Sequence, residues 1–302
     1  MKQKNFEVII IGGSYSGLSA AMSLGRSLRQ VLVIDSGLPC NRQTPHSHNF
    51  ITHDGETPTA ISAKAKLQVD FYKTVQFYNG LAIDAVKTQN GFEIKTESGA
   101  LFTSKKLLFA TGVKDLLPDI KGFAACWGIS VLHCPYCHGY EVKNEKTAIV
   151  ANGEMGFEYV KLISNWTKDL RLCTNGKSEL TSEQTQILKN HGILILEGEL
   201  DSFEHNAGYI SNIVFKKGEK MDVKAVYARP PLEQHCPLPK VLGCELSEQG
   251  LVKVDFMQKT TVFGIYASGD ATTQMRSVAL AVSSGSFAGA AINKELIDEN
   301  FK

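Results

Sequence analysis

The sequence predicts an α/β fold made of two three-layer domains, the second inserted into the first. Three observations predict it. Near the N-terminus a β-branched strand, a glycine turn, a helix and a second apolar strand follow one another. A weaker copy of this order begins near Lys146, and strands that end in small-residue turns lie on both sides of the copy, at residues 107–109 and 264–267. This order is typical of Rossmann-like nucleotide-binding domains.

The first glycine turn lies between a predicted strand at residues 6–11 and a predicted helix at residues 18–28. A second strand at residues 31–34 ends in an acidic residue. In such a unit the N–H groups at the helix start face a pyrophosphate, and the acid accepts a hydrogen bond from a ribose hydroxyl. Serine replaces the middle glycine of GxGxxG, and a turn that merely closes a βαβ unit is the alternative. The predicted dinucleotide site comprises Gly12, Gly13, Ser14, Gly17 and Asp35.

Further elements follow from local signals. A helix is predicted at residues 57–72, because Pro58 suits its first turn. Strands are predicted at residues 92–96 and 105–110, on either side of a Ser-Gly turn. A last helix is predicted at residues 278–293, where Ala, Ser and Gly allow close packing.

Cys134 and Cys137 form a CxxC pair in the middle of the chain. Such a pair can close and reopen a disulfide and so store two electrons, but the same spacing is also half of a zinc site. Pro135 suits the first position of a helix, which places Cys134 at a helix N-terminus, where the dipole favours the thiolate. His133 and His138 flank the pair and are able to move a proton near neutral pH.

Composition predicts an enzyme without nucleic-acid or membrane partners. Among 302 residues, Lys plus Arg number 32 and Asp plus Glu 31, so no excess of basic charge indicates an anionic partner. No apolar run approaches the ~18 residues of a membrane span, and the start is too short for a signal-peptide core. Seven cysteines, an odd number, suit a reducing compartment, so we expect a cytoplasmic location.

Taken in order, the motifs resemble those of the thioredoxin-reductase group of pyridine nucleotide-disulfide oxidoreductases. The resemblance covers essentially the whole chain. The Cys-x-x-Cys-His-Gly-Tyr-Glu form is most similar to dithiol oxidases and reductases of gliotoxin-type and holomycin-type pathways, whereas thioredoxin reductases carry aspartate at the position of His138. The motifs that carry the resemblance are residues 12–17, Asp35, residues 110–112, Cys134–Cys137 and Gly269-Asp270.

The resemblance implies FAD as cofactor and a role for each motif. It implies that Cys137 exchanges electrons with the flavin, that Cys134 attacks an external disulfide, and that His138 transfers protons. It also implies a homodimer. The residues that it assigns to FAD are Gly12, Gly13, Ser14, Gly17, Asp35, Thr111, Gly112, Gly269 and Asp270.

The second glycine turn departs from the family pattern, because its first glycine is Ala151. Relatives that use NADPH place arginines after the following strand, where a guanidinium suits the 2′-phosphate, and here only Lys177 is basic. NADPH binding by Gly153, Gly156 and Lys177 is therefore an expectation, and NADH, another electron donor or an oxidase role with oxygen stay open.

The flavin motifs lie at both ends of the chain and the CxxC pair lies between them. We therefore predict a discontinuous FAD-binding domain at residues 1–117 and 246–302, and an NAD(P)-binding-like domain with the CxxC pair at residues 118–245. The predicted enzyme is an FAD-dependent disulfide oxidoreductase that acts on a thioredoxin-like protein or a small-molecule disulfide or dithiol. The alternatives are a flavin-bound redox sensor and a thioredoxin reductase with a ferredoxin-type donor.

Other polar residues invite a metal-binding interpretation. A loop after the second strand carries His46, His48 and His53. Packing of this loop on FAD is favoured over a metal site, because no cysteine or Hx₃H helix accompanies the histidines. His235 and Cys236 would complete a zinc site with the CxxC pair, but the flavin motifs already explain that pair. No metal is predicted. Arg276 is either a residue near the flavin or an ordinary surface arginine.

Overall fold

The computed structural model describes residues 4–301 and divides into two compact units. Unit 1 consists of the segment that ends at Arg42, of Asn49–Lys114 and of the segment that begins at Leu232. Unit 2 consists of Gln43–His48 and Asp115–Pro231. The main crossings between the units therefore lie at residues 114/115 and 231/232, whereas the sequence-based boundaries are 117/118 and 245/246.

The strands of the described residues are, in chain order, β1 (Lys4–Ile11), β2 (Val31–Asp35), β3 (Val75–Asn79), β4 (Ala82–Thr88), β5 (Gly91–Thr96), β6 (Leu101–Phe109), β7 (Val113–Asp115), β8 (Val131–Leu132), β9 (Thr147–Val150), β10 (Leu170–Cys173), β11 (Leu194–Leu196), β12 (Leu200–Asn206), β13 (Tyr209–Phe215), β14 (Lys220–Asp222), β15 (Ala225–Ala228), β16 (Leu232–Gln234) and β17 (Ile265–Ala267).

The α-helices of the same residues are α1 (Tyr15–Arg26), α2 (Pro58–Asp70), α3 (Phe123–Cys126), α4 (Pro135–His138), α5 (Gly153–Ile163), α6 (Ser182–Asn190), α7 (Leu238–Val241) and α8 (Val278–Asn300). A single 3₁₀ turn, Gly269–Ala271, follows β17.

Unit 1 is built on a sheet in which β3, β2, β1 and β6 run parallel in that order. The strand β6 pairs with the antiparallel hairpin β4–β5 along its first half and with the parallel strand β17 along its second half. Alternate residues of β1 enter opposite clusters: Val8 and Ile10 pack with α1 and α8, while Ile9 and Ile11 pack on the other face. Burial on both faces explains the unbroken apolar sequence of β1.

Unit 2 contains a second parallel sheet, ordered β11-β10-β9-β15-β8. On one face Val160 and Ile163 of α5 pack against Leu172 of β10. On the other face the sheet packs against an antiparallel sheet formed by β12, β13 and β14, which the sequence analysis did not predict. Both units therefore contain the predicted α/β layers.

No helix among residues 4–301 is long and apolar enough to cross a membrane.

Candidate active site

The first glycine turn connects β1 to α1 and cannot hold larger side chains. Gly12 has φ of +104°, and a Cβ there would lie 2.7 Å from the carbonyl carbon of Ala110. A Cβ on Gly17 would lie 3.0 Å from the carbonyl carbon of Gly12, and one on Gly13 would lie 2.9 Å from the Cβ of Asp35. These glycines let three backbone segments approach closely at the carboxyl end of β1.

The start of α1 has the features of an anion site. Ser14 is the N-cap residue, its side chain makes no capping hydrogen bond, and the first turn contains no acidic residue. Asp35, at the end of β2, accepts a hydrogen bond from the Gly13 N–H at 3.0 Å through one carboxylate oxygen. The N–H groups of the first helical turn are therefore available to a pyrophosphate, and the second carboxylate oxygen of Asp35 to a ribose hydroxyl.

Two further predicted segments reach the same edge of the unit 1 sheet. Ile11 pairs with Phe109, and Phe109 pairs with Ala267, so the carboxyl ends of β1, β6 and β17 lie side by side. Thr111 and Gly112 therefore follow β6 at this edge, and the 3₁₀ turn that begins at Gly269 follows β17. The structure brings together all the unit 1 residues that the sequence assigns to the cofactor.

Side chains at this edge offer further contacts. The hydroxyl of Thr111 is buried and has no hydrogen-bond partner among the described residues. The Oδ2 atom of Asp270 lies 3.2 Å from Nε of Arg276, and these two side chains are only 18% and 10% exposed. Arg276 is thus not an ordinary surface arginine. A glycine cradle together with an orphaned hydroxyl fits a flavin dinucleotide.

In unit 2, Cys134 and Cys137 form a disulfide with a Cα–Cα separation of 5.3 Å. Cys134 is the N-cap residue of α4 and Pro135 is its first helical residue, as predicted. Both cysteines are partly exposed, whereas Cys126 and Cys173 are buried thiols. The Cys134–Cys137 pair is therefore a disulfide that external thiols can reach.

His138 follows the disulfide and is neutral at neutral pH. Its pKa is lowered to about 4, chiefly by burial and next by the neighbouring His48, while Glu141 acts in the opposite direction. The Nε2 atom of His48 lies 3.6 Å from a carboxylate oxygen of Glu141. At neutral pH a histidine in this state has an unprotonated ring nitrogen and no proton to donate, and its pKa of about 4 makes it a weak base.

A family model described as pyridine nucleotide-disulphide oxidoreductase matches residues 6–285. The chain belongs to this family. A thioredoxin reductase of Aspergillus oryzae, aclD, is 31% identical over 314 residues, which cover 98% of each chain. An oxidoreductase from Agrobacterium tumefaciens has a solved structure that matches with a TM-score of 0.91 at 35% identity, over 97% of this chain and 99% of that one.

The fold extends to more distant members. The thioredoxin reductase of Streptococcus pyogenes matches with a TM-score of 0.89 at 19% identity and covers 98% of this chain and 100% of its own. The chain is a thioredoxin-reductase-like disulfide oxidoreductase. The relatives do not favour the redox-sensor or ferredoxin-linked alternatives.

The second glycine turn of this family member is placed as the sequence predicts, between β9 and α5. Gly153 begins α5 with φ of +56°, and a Cβ on Gly156 would lie 3.3 Å from the carbonyl group of Ala151. Lys177 is exposed in the loop after β10, and its carbonyl oxygen accepts a hydrogen bond from the side-chain amide of Asn152 at 2.9 Å. Turn and loop are thus joined directly to each other.

The loop that carries His46, His48 and His53 contributes residues to both units. His53 belongs to unit 1, where it stacks on Phe50 and lies 3.1 Å from a carboxylate oxygen of Glu56. His46 and His48 belong to unit 2, and their rings lie 6.4 Å apart. Within residues 4–301 no group of three or more histidine, cysteine or acidic residues is arranged to hold a metal ion.

Sequence reasoning missed three residues of unit 2. His48 and Glu141 adjoin His138, and Tyr159 on α5 donates a hydrogen bond to the carbonyl of His133. The ring of His133 also stacks on that of Trp127. Glu141 stands in the Cys-x-x-Cys-His-Gly-Tyr-Glu motif, so the motif itself carried a signal, whereas the contacts of His48 and Tyr159 depend on the fold.

Proposed function

We propose that unit 1 binds FAD and that the Cys134–Cys137 disulfide exchanges two electrons with an external dithiol or disulfide. The observation that carries this proposal is the partly exposed disulfide at the start of α4, in a chain whose unit 1 presents a dinucleotide cradle. FAD supplies a carrier that takes up or releases an electron pair in one protein.

In unit 1 the protein's own groups bind and orient the cofactor. The N–H groups at the start of α1 donate to the pyrophosphate, and Asp35 accepts from the adenosine ribose. Gly12, Gly13, Ser14 and Gly17 permit the close approach. Thr111, Gly112, Gly269 and Asp270 contact the cofactor at the ends of β6 and β17, with Asp270 held in place by Arg276.

In unit 2 the chemistry is thiol–disulfide exchange. In the oxidising direction, a substrate thiolate attacks the sulfur of Cys134, and Cys137 leaves as a thiolate. The second substrate thiolate then attacks the mixed disulfide, so the substrate disulfide forms and Cys134 is released. The reducing direction reverses these steps: Cys134 attacks a substrate disulfide and Cys137 resolves the mixed disulfide.

His138 serves this exchange as a base. Because it is neutral at neutral pH, its ring accepts a hydrogen bond from an incoming substrate thiol or from a cysteine of the reduced pair. It takes up that proton only transiently, because a pKa of about 4 makes it a weak base. Its low pKa differs from the near-neutral value that the sequence analysis assumed, because burial disfavours the imidazolium.

The partner is a thioredoxin-like protein or a small disulfide or dithiol. We also propose a homodimer, supported by exposed apolar side chains such as Leu67 (72% exposed) and Phe71 (76%) on and just after α2. A cytoplasmic location is supported by cysteines that lie buried as thiols rather than in disulfides, namely Cys126, Cys173, Cys236 and Cys244. Size-exclusion chromatography with light scattering tests the dimer.

The test compares two cysteine variants of the purified holoprotein. Under anaerobic conditions a dithiol should bleach the visible flavin band of the wild type. In Cys137→Ser the rate of bleaching should fall at least ~100-fold, because the disulfide is gone. The control Cys173→Ser alters a buried thiol of β10 and should bleach at the wild-type rate. Rapid bleaching in Cys137→Ser contradicts the proposal.

A further inference from the structure

We propose that unit 2 does not bind the pyrophosphate of NADPH or NADH, because its own polar side chains occupy the start of α5. The proposal deepens the proposed function and rests on it only for the presence of FAD in unit 1. It replaces the expectation that Gly153, Gly156 and Lys177 form a nicotinamide nucleotide site.

The topology fixes where a dinucleotide would bind in unit 2. From β9 the chain passes to β10 on one side of the sheet, whereas β15 lies on the other side. Ligands of such sheets bind at the carboxyl ends of the strands where the order reverses, with the pyrophosphate at the start of the helix that follows the first strand. In unit 2 that position is the start of α5.

Asn152 already bonds the first N–H group of α5, one of the groups that a pyrophosphate would use. Its side-chain oxygen accepts hydrogen bonds from the Gly153 N–H and from the Glu179 N–H, both at 2.9 Å. Its side-chain amide donates to the carbonyl of Lys177 at 2.9 Å. The bonds to Lys177 and Glu179 tie the turn before α5 to the loop after β10. A bound phosphate would have to break the third bond to reach the Gly153 N–H.

Carboxylates surround this helix start. Glu154 lies in the first turn of α5 and accepts a hydrogen bond from Gln184. The Oε2 atom of Glu179 lies 3.6 Å from the position that a Cβ on Gly153 would occupy. The positive end of the α5 dipole is therefore already compensated by protein anions, and a pyrophosphate would be repelled by both.

Polar side chains of the loop after β10 likewise form hydrogen bonds within the protein. The side-chain oxygen of Asn175 accepts from the Leu200 N–H at 2.8 Å, and the Thr174 hydroxyl donates to the carbonyl of Gly176 at 2.6 Å. Lys177 is the basic residue of residues 174–181. A lone lysine lacks the bidentate geometry with which arginine binds a 2′-phosphate.

The fold itself explains why Gly153 and Gly156 are glycines. The φ of +56° at Gly153 is a left-handed conformation that favours glycine. A Cβ on Gly156 would lie within 3.3 Å of both the carbonyl group of Ala151 and the side chain of Leu172, so a small residue is needed where α5 crosses the sheet. Neither glycine is therefore evidence for a bound nucleotide.

The test is calorimetric titration of the holoprotein with NADPH and, separately, with NADH. The wild type should show no saturable binding up to about 1 mM ligand. Saturable binding of either nucleotide below about 1 mM overturns the proposal. Flavin content and dithiol bleaching are measured on the same sample. A protein that lacks flavin or does not bleach contradicts the proposed function, whatever the titration shows.

A variant pair tests the cause. Glu154→Gln/Glu179→Gln removes both carboxylates near Gly153 and should raise the affinity for NADPH at least tenfold, into the measurable range. The control, Glu154→Gln/Glu183→Gln, keeps the charge of Glu179 and removes that of Glu183 in the first turn of α6. Equal affinities of the two variants contradict the role assigned to Glu179.

Discussion

The two glycine turns both join a strand of a parallel sheet to the helix that follows it, but they differ in what surrounds the helix start. In unit 1 the N-cap Ser14 makes no capping bond with its side chain, and the carboxylate bonded to the turn, that of Asp35, is placed for a ribose. In unit 2 the N-cap Asn152 bonds both the turn and the neighbouring loop, and Glu154 and Glu179 supply negative charge. Unit 2 thus retains the βαβ fold without the anion-binding groups that we propose for unit 1.

The largest difference should appear when the last glycine of each turn is replaced. Gly17→Ala forces a Cβ against the Gly12 carbonyl group and should abolish most flavin binding. Gly156→Ala meets its neighbours at 3.3 Å in unit 2, and should retain flavin at the wild-type ratio. The ratio of flavin to protein absorbance in the purified variants measures both. Retention of flavin in Gly17→Ala would contradict binding of the cofactor at the glycine turn of unit 1.

A smaller effect is expected on the rate of thiol–disulfide exchange in unit 2 when His138 is replaced. His138→Asn removes the base and should slow dithiol-dependent flavin bleaching about ten- to a hundredfold at neutral pH, with flavin content unchanged. The control is His191→Asn, which alters the histidine that ends α6. An unchanged rate in His138→Asn would show that His138 has no part in the proton transfer.

The effect of neighbouring charges on the pKa of His138 can be measured by NMR titration of the oxidised protein. Its pKa should be about 4 in the wild type, higher in His48→Gln and lower in Glu141→Gln. Because the folded-state pKa lies below the ordinary value of 6.5, the unfolded chain binds the proton first. Stability should therefore fall as the pH drops from about 6.5 to about 4, and this part of the loss should vanish in His138→Gln. A pKa near 6.5 would contradict the buried, neutral state.

The smallest effect concerns the two N-caps. Asn152→Ala should lower the free energy of unfolding by about 1 kcal/mol, because the turn before α5 loses its capping bond. Ser14→Ala removes a side chain that makes no capping bond and should change stability by less than ~0.5 kcal/mol. Denaturant unfolding measures both variants. A larger loss in Ser14→Ala would mean that the two helix starts are capped alike.

Local signals predicted much of this structure. The buried strands and glycine turns were predicted because hydrophobic runs and glycines act within a few residues. The strand predicted at residues 92–96 coincides with β5 to within one residue. The last helix, predicted to end at residue 293, continues to Asn300, since buried Lys106 pairs with Glu295 and Glu299 on its final turns.

Contacts between distant residues explain what the sequence did not predict. The hydrogen bond from the Glu179 N–H to Asn152 joins residues far apart in the chain, and neither residue type predicts it. The low pKa of His138 depends on burial and on His48, which a separate segment of the chain contributes to unit 2. Motif spacing identified the reactive residues. The protonation state of His138, and the side chains that bond the start of α5 in place of a ligand, could be read only from the fold.

The most direct test of the account is an anaerobic titration of the wild-type holoprotein with dithiothreitol and with NADPH in parallel, followed through the visible flavin band. The account predicts that the dithiol bleaches the flavin and that NADPH leaves the spectrum unchanged. Bleaching by stoichiometric NADPH, with no response to the dithiol, would contradict both the thiol chemistry assigned to Cys134 and Cys137 and the closed helix start of unit 2.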